Sequence, residues 1–328
     1  MAETKRLTVP AAEELMGLYF PLLDHGFIGL KDYMGGDDSI EAAARGSYAY
    51  GTRQKTDQRQ LLRYMSRNRH TSPTEQVEVV VHAAMPIVCA RQWIRHRTAS
   101  VSEMSGRYSL MPMLFYMPKD EQIQRQSKTN KQGREGALSP ELIDEWRDRL
   151  FLQRKRTRNN YQWATENDIA RELARIDLPL NTYSQWFWKI DLHNLFHALG
   201  LRCHEHASWE IRQYFNWLAG LAKRLAPVSF EAWEDYHFYA RTFSRQEMWL
   251  LRSALAVEGK EVVSRLDECG NPGRIYADQI TNVGLTKTER AEFLAKFEES
   301  TCQDFDIDLT VGKEPNFFEE KFREAAEG

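Results

Sequence analysis

The chain has 328 residues, 42% of them hydrophobic and 28% charged, with a formal net charge of −3. This length and apolar content suit one large or two smaller globular domains, and the slightly acidic balance excludes a global attraction to nucleic acid or membrane surfaces. No apolar run reaches membrane-spanning length, the N-terminus lacks a signal-type stretch, and Cys89, Cys203, Cys269 and Cys302 are too widely spaced for a disulfide framework, so a cytoplasmic setting with reduced thiols is expected.

Residues 1 to 70 are mixed in pattern, with a turn signal at Gly35-Gly36 and a small-residue helix start near Ser39 to Ala44. Gln76 to His82 reads as a strand, because Val77, Val79 and Val81 share one face at period two and the run is β-branched. Pro86 opens a helix, since a first-turn position tolerates a missing N–H. Ile87, Val88, Ala90 and Ile94 would form its apolar face. The helix ends in Arg91, Arg95, His96 and Arg97, where cations complement the helix dipole.

Lys119 to Gly136 has no apolar periodicity and reads as an excursion. Ser139-Pro140 then signals a helix start, and a polar helical stretch is expected to run to about Ala174. Ile211, Tyr214, Phe215, Leu218, Leu221 and Leu225 step at helical spacing up to Pro227. Ser244-x-x-Glu247 is a capping box ahead of Met248, Leu250 and Leu251. Farther on, Gly270-Asn271-Pro272-Gly273 marks a turn and Thr286-x-x-Glu289 caps a short helix. The expected division is a core over 1–255, with the excursion at 119–175, and an extension of unknown role over 256–328 whose acidic end is loosely held. Truncation near residue 258 would then leave a folded core.

The densest chemical signal is Arg95-His96-Arg97-Thr98-Ala99-Ser100-Val101-Ser102-Glu103-Met104-Ser105-Gly106-Arg107-Tyr108. Arginine forks pair bidentately with phosphates. Ser105-Gly106 adds a hydroxyl and approachable backbone N–H groups, and Glu103 an acceptor for a sugar hydroxyl or ring N–H. These are parts for a nucleotide site, and equally for a solvated Arg-rich loop. His193 and His197 share a helix face at a metal-ligand spacing, with His204 and His206 nearby, but no Glu follows His193 to complete a zinc motif. A single-strand nucleic-acid binder built on Trp93 and the arginines is a third reading. Trp186, Phe187, Trp188 and Trp209 read as core or subunit-contact residues.

Arg95-His96-Arg97 followed seven residues later by Ser105, with Gln92-Trp93-Ile94 before and Gly106-Arg107-Tyr108 after, resembles the signature of flavin-dependent thymidylate synthases. The similarity runs from about His25 to Tyr239. It implies an α+β fold, with a central, mainly antiparallel sheet flanked by helices and a helical subdomain at about 119–175. It implies a cytoplasmic homotetramer with shared active sites that methylates dUMP to dTMP, using FAD, NADPH and 5,10-methylenetetrahydrofolate. No resident metal, polymeric nucleic acid or membrane partner is implied.

Residue by residue, the resemblance assigns Arg95, His96, Arg97, Thr98 and Glu103 to FAD. It assigns Gln92, Trp93, Ile94, Arg95, Glu103, Met104, Ser105, Gly106 and Arg107 to dUMP. Ala44-Arg45-Gly46-Ser47 nominates Ser47 for the flavin, and His70-Thr71-Ser72-Pro73-x-Glu75 nominates Ser72 and Glu75. His70 would lie by the folate and flavin rings. Ala174 to Asn181 nominates Arg175 for the nucleotide. Asp191 to Glu210 nominates Asp191, His193, His197, Leu201 and His206 for FAD, with Arg202 on the pyrimidine favouring its N3-ionised form. Asp191-Leu192-His193 stands where Asn-Ala-Arg is common in the family, Thr71 where Glu is common, and Gln76 where His is common. Cys203, beside Arg202, is the one serious candidate for a thiolate nucleophile, the device of the other class of thymidylate synthase; a packing role is expected instead.

Overall fold

The computed structural model describes residues 6–47, 56–128, 132–258, 293–297 and 303–327. The turn at 270–273, the cap at 286–289, Cys269 and Cys302 lie outside these. The described strands are β1 (Tyr19–Leu22), β2 (Gly26–Met34), β3 (Glu78–Pro86), β4 (Ser100–Glu103), β5 (Gln124–Gln126), β6 (Arg134–Ala137) and β7 (Tyr183–Asp191). The named helices are α1 (Pro10–Glu13), α2 (Asp37–Arg45), α3 (Gln58–Arg67), α4 (Ile87–Trp93), α5 (Pro140–Glu166), α6 (Arg171–Ala174), α7 (Leu192–Arg202), α8 (Trp209–Leu225), α9 (Pro227–Trp233), α10 (Arg245–Glu258) and α11 (Pro315–Glu327).

Five strands form one sheet in the order β1-β2-β3-β7-β4, and every pairing in it is antiparallel. The fold is therefore α+β with a central antiparallel sheet. Its spine is the β3–β7 pair, in register from Glu78 opposite Asp191 to Pro86 opposite Tyr183. Val77, Val79 and Val81 are buried on alternate positions, as the period-two pattern requires, and from Val81 to Pro86 the strand is buried on both faces. β2 is less legible because it carries Gly26 and Gly29. A Cβ on Gly26 would meet the Tyr214 hydroxyl at 2.3 Å, and one on Gly29 the Tyr19 ring at 2.2 Å. These glycines let the Tyr214 hydroxyl reach Ala84 O, to which it donates at 2.8 Å, and let Tyr19 lie flat on the sheet.

α8 is apolar on most sides and buries Ile211, Tyr214, Phe215, Leu218, Leu221 and Leu225. With Trp93, Trp186 and Trp188 it makes an aromatic core whose rings lie 5.1 to 5.7 Å from that of Trp93. α4 begins directly after Pro86, but its inward face is Cys89, Ala90 and Trp93, whereas Ile94 is exposed. The helix is only seven residues long, and the sheet selects its inward face.

Ser139 caps α5 by accepting the Leu142 N–H at 3.4 Å. The helix stops at Glu166, short of the expected Ala174, because Asp168 adopts a left-handed φ of 59°. The Ile169 N–H then donates back to Ala164 O at 2.9 Å, a turn that Asn167-Asp168 accommodates. The polar excursion before α5 holds the β5–β6 hairpin. Arg134 of that hairpin donates to both carboxylate oxygens of buried Glu210.

Contacts divide the chain into one unit of Met1–Trp233 with Phe305–Gly328 and a second of Glu234–Asp304. In the second, the capping box forms as expected: Ser244 N–H donates to Glu247 at 2.6 Å, and Glu247 N–H to the Ser244 hydroxyl at 3.3 Å. The end of the chain is not the loosely held extension expected. It returns to the first unit, where Phe318 and Phe322 join Tyr19, Phe27, Ala84, Tyr116 and Tyr183 in a buried cluster. No helix among the described residues is long and apolar enough to cross a membrane.

Candidate active site

The Arg95–Arg97 run begins where α4 leaves the core. Trp93 is fully buried, so its side chain is a core group and only its backbone can face a ligand. Ile94 closes α4 by donating its N–H to Ala90 O at 2.9 Å, and the His96 N–H donates to Trp93 O at 3.1 Å. These turns bury the His96 ring against Phe215, 5.5 Å between centroids, and leave Arg95, Arg97 and Thr98 exposed. Arg202, the last residue of α7, donates from Nε to His96 Nε2 at 3.0 Å and from Nη2 to Gln92 O at 3.0 Å. Burial, the Arg202 charge and His197 hold His96 down to about 4, so its ring is neutral and carries its proton on Nδ1. Burial also lowers Arg202 from its ordinary value. Ser208 donates to Gln92 Oε1 at 3.1 Å, a second tie to α4.

β4 carries the next group. All four of its residues are exposed on the sheet edge, which is why it has no apolar signature. Ser184 donates its hydroxyl to Glu103 Oε1 at 2.6 Å, and the Met104 N–H donates to Gln185 O at 2.9 Å. The chain then turns: Tyr108 and Ser109 donate their N–H groups to Ser105 O, and Arg107 donates its N–H to the Ser105 hydroxyl at 3.2 Å. Gly106 is buried in this turn. A Cβ there would lie 2.7 Å from Met111 Sδ and 3.1 Å from Arg175 Cδ, so the turn and the Arg175 segment are in van der Waals contact. Arg107 pairs with Glu172 at 3.0 Å.

The third group lies around α7. Leu192 donates its N–H to Val77 O at 2.7 Å, which brings α7 beside the Thr74–Gln76 turn that follows Ser72. α2, which ends just before Ser47, packs on the same turn. Asp191 accepts the Asn194 N–H at 2.9 Å and its side-chain amide at 2.7 Å, so both carboxylate oxygens cap α7. His193 is half-buried, while His197, Leu201 and His206 are exposed. His70, Ser72 and Glu75 are exposed, and Glu75 accepts from the Thr71 hydroxyl at 3.0 Å. His70 follows Arg69, whose φ of 58° ends α3 and turns His70 outward.

Among the described residues no three His, Cys, Asp or Glu side chains gather as a metal-holding group. Trp186 and Trp188 are buried in the core; Phe187 is exposed on the opposite face, stacked on His82 at 4.5 Å. Cys203 is buried and its thiol is pushed up, out of the range where a thiolate forms readily. Sequence reasoning missed Ser184 and Ser208. Ser184 sits two residues before Trp186 and four before Trp188 on the core-facing side of β7, and that alternation is the signal that places it.

The family profile described as "Thymidylate synthase complementing protein" matches residues 29–228. A flavin-dependent thymidylate synthase of Gluconobacter oxydans is 40% identical over 295 residues, 89% of this chain and 91% of the relative. The chain belongs to the flavin-dependent thymidylate synthase family. A further member, from Treponema pallidum, is 44% identical over 252 residues, 76% of this chain and 83% of its own. Among solved structures, the UMP/dUMP methylase PolB of Streptomyces cacaoi bound with 5-Br dUMP is 28% identical, with a TM-score of 0.60 over 66% of this chain and 97% of that one. The matched stretch covers most of β2, all of β3, β4 and β7, and α4 and α7–α8, the elements that carry the three groups above.

Proposed function

We propose that the chain forms dTMP from dUMP, with FAD as hydride carrier, 5,10-methylenetetrahydrofolate as one-carbon donor and NADPH as reductant. The observation that carries this reading is Arg202, held between Gln92 O and neutral His96 at the end of the motif helix. Both bonds fix the guanidinium plane and leave Nη1 without a protein partner among the described residues. A preorganised cation stabilises charge that develops in the reaction; removing one comparable donor costs roughly 3–4 kcal/mol. On this reading Arg202 holds the pyrimidine as its N3 anion, which makes C5 more nucleophilic.

The residues present fit a flavin dinucleotide. Exposed Arg95 and Arg97 make no ion pair among the described residues, and with His193, His197, His206, Ser47 and Ser72 they form a set of donors suited to a pyrophosphate and ribose. Exposed Leu201 offers an apolar surface for a ring. A bound flavin would supply a hydride, drawn from the nicotinamide, to the carbon that becomes the methyl group; that carbon would by then be bonded to C5, the C5 proton having left and its bonds to the folate nitrogens having broken with release of tetrahydrofolate. Ser105, the Gly106 N–H, and the Arg107 and Arg175 side chains hold the phosphate. Glu103, oriented by Ser184, accepts from the nucleotide, and His70 orients the folate.

The reading also makes the protein a cytoplasmic homotetramer. Exposed Leu173, Ile176 and Leu180 around Arg175 give apolar surface for a neighbouring subunit. The test is the absorbance spectrum of the purified protein and its NADPH oxidation. Flavin bands, and oxidation that accelerates when dUMP is added, are expected. A protein that takes up no FAD sinks the reading.

A further inference from the structure

The end of the chain contacts the segment that carries the proposed phosphate-binding turn. α11 is amphipathic: Phe318 and Phe322, one turn apart, are buried, while Phe317 is exposed. Phe318 packs on Phe27 at 4.9 Å, and Phe322 meets Phe27 edge-on at 5.8 Å and Tyr183 at 6.4 Å. Ahead of the helix, Lys313 exchanges two backbone hydrogen bonds with Tyr19, at 2.8 and 2.7 Å. At its far end Ala325 O accepts the Met113 N–H at 3.1 Å. Lys321 donates to Asp24 O at 3.3 Å, and the Asp24 carboxylate in turn accepts the Met117 N–H at 2.8 Å.

Met113 is not an idle attachment point. It lies in a buried cluster with Met111, Phe115 and Tyr161, against which Met104 and Ala174 pack. The Met111 N–H donates to the Tyr161 hydroxyl at 2.9 Å. Met111 Sδ fills the space beside Gly106, and Arg175 Cδ fills the rest. A displacement of 111–113 therefore moves the Met111 side chain that, with Arg175, walls the turn at Gly106. On the sheet side, Phe318, Glu319 and Arg323 of α11 line a cavity of about 300 Å³ together with Met104, Leu110 and Phe27. The helix thus bounds the 104–113 segment on one flank and ties its backbone on another.

We infer that the C-terminal helix is a positioning element of the nucleotide site, with Phe318 and Phe322 as positioning residues that set the 104–113 segment for phosphate binding. This rests on the reading of Ser105, Gly106 and Arg107 as the phosphate cradle. Phe318 and Phe322 act by seating the helix whose Ala325 O holds the Met113 N–H, and through Met113 and Met111.

The test uses the full-length, FAD-loaded enzyme with Phe322→Ala. The KM for dUMP should rise about tenfold or more, as misplacement of a binding group by about an ångström does. The kcat at saturating dUMP and the FAD content should stay unchanged, and the amides of residues 105–113 should exchange hydrogen faster. A merely structural role would lower the melting temperature and leave the KM alone. If Phe322→Ala does not fold, Phe322→Leu carries the same test, with a rise of about threefold expected from the smaller cavity. An unchanged KM in a folded variant, or kcat, KM and FAD content failing together, overturns the inference. Loss of dUMP dependence in the unaltered chain is a different result and overturns the proposed function beneath it.

Discussion

Arg107 faces Glu172 across 3.0 Å, with both side chains more than half exposed. Such a pair contributes little, so a phosphate dianion can replace the carboxylate at small cost. Arg107→Ala should weaken dUMP about tenfold or more, since charge-assisted hydrogen bonds contribute roughly 1.5–3 kcal/mol each. FAD affinity should be spared, because Arg107 lies in the Gly106–Arg175 group and not in the α7 group. Equilibrium titration with each ligand separates the two, and equal losses would move Arg107 out of the nucleotide site. His96 behaves differently. Its value as an acceptor depends on staying neutral, and burial beside Arg202 ensures that down to a pH of about 4.

At the scale of elements, α7 ties together the residues proposed for the flavin, and Asp191 starts it. Asp191 was expected at the flavin, yet both its oxygens are engaged by Asn194. Asp191→Ala should destabilise the protein by about 1 kcal/mol through loss of the cap, and Asp191→Ser should restore most of it. Flavin affinity that follows stability across the two variants marks a capping role; affinity lost in both marks direct contact. The elements legible in the sequence had a strong period or an end signal: β3 from its valines, α8 from its apolar stripe, α5 from Ser139-Pro140, the box at Ser244. β1 and β2 were hidden because Pro21, Gly26 and Gly29 dilute the pattern, and their reason is tertiary, in Tyr214 and Tyr19. β4 was hidden because an edge strand with four exposed residues has no apolar face. The Arg-His-Arg motif was legible because it is dense and local, whereas the Ser184–Glu103 and Arg202–His96 contacts join residues 81 and 106 positions apart. α11 was misread as a loose tail. The i, i+4 pair Phe318 and Phe322 was the available signal, masked by its acidic surroundings.

Over the whole molecule, the titration of two buried imidazoles sets an acid limit on stability. His82 and His96 are both lowered to about 4 in the folded protein, chiefly by burial. Between that value and the ordinary value near 6.5, the unfolded chain binds more protons than the folded one. Stability therefore falls as pH drops through this window, by at most about 3 kcal/mol per histidine. Urea midpoints of the flavin-free protein should decline from about pH 7 to about pH 5, and His82→Phe should flatten part of that slope. A flat profile in the unaltered chain would mean that these rings are not held neutral.

The central claim is that the fold builds a flavin-dependent methylation site without a nucleophilic cysteine. It is tested most directly by product analysis of Cys203→Ala. Supplied with dUMP, 5,10-methylenetetrahydrofolate, NADPH and FAD, this variant should form dTMP about as well as the unaltered chain, and neither should do so when FAD is withheld. A folded Cys203→Ala protein that binds FAD and dUMP yet makes no dTMP, together with a covalent Cys203–dUMP adduct in the unaltered enzyme, would contradict the account.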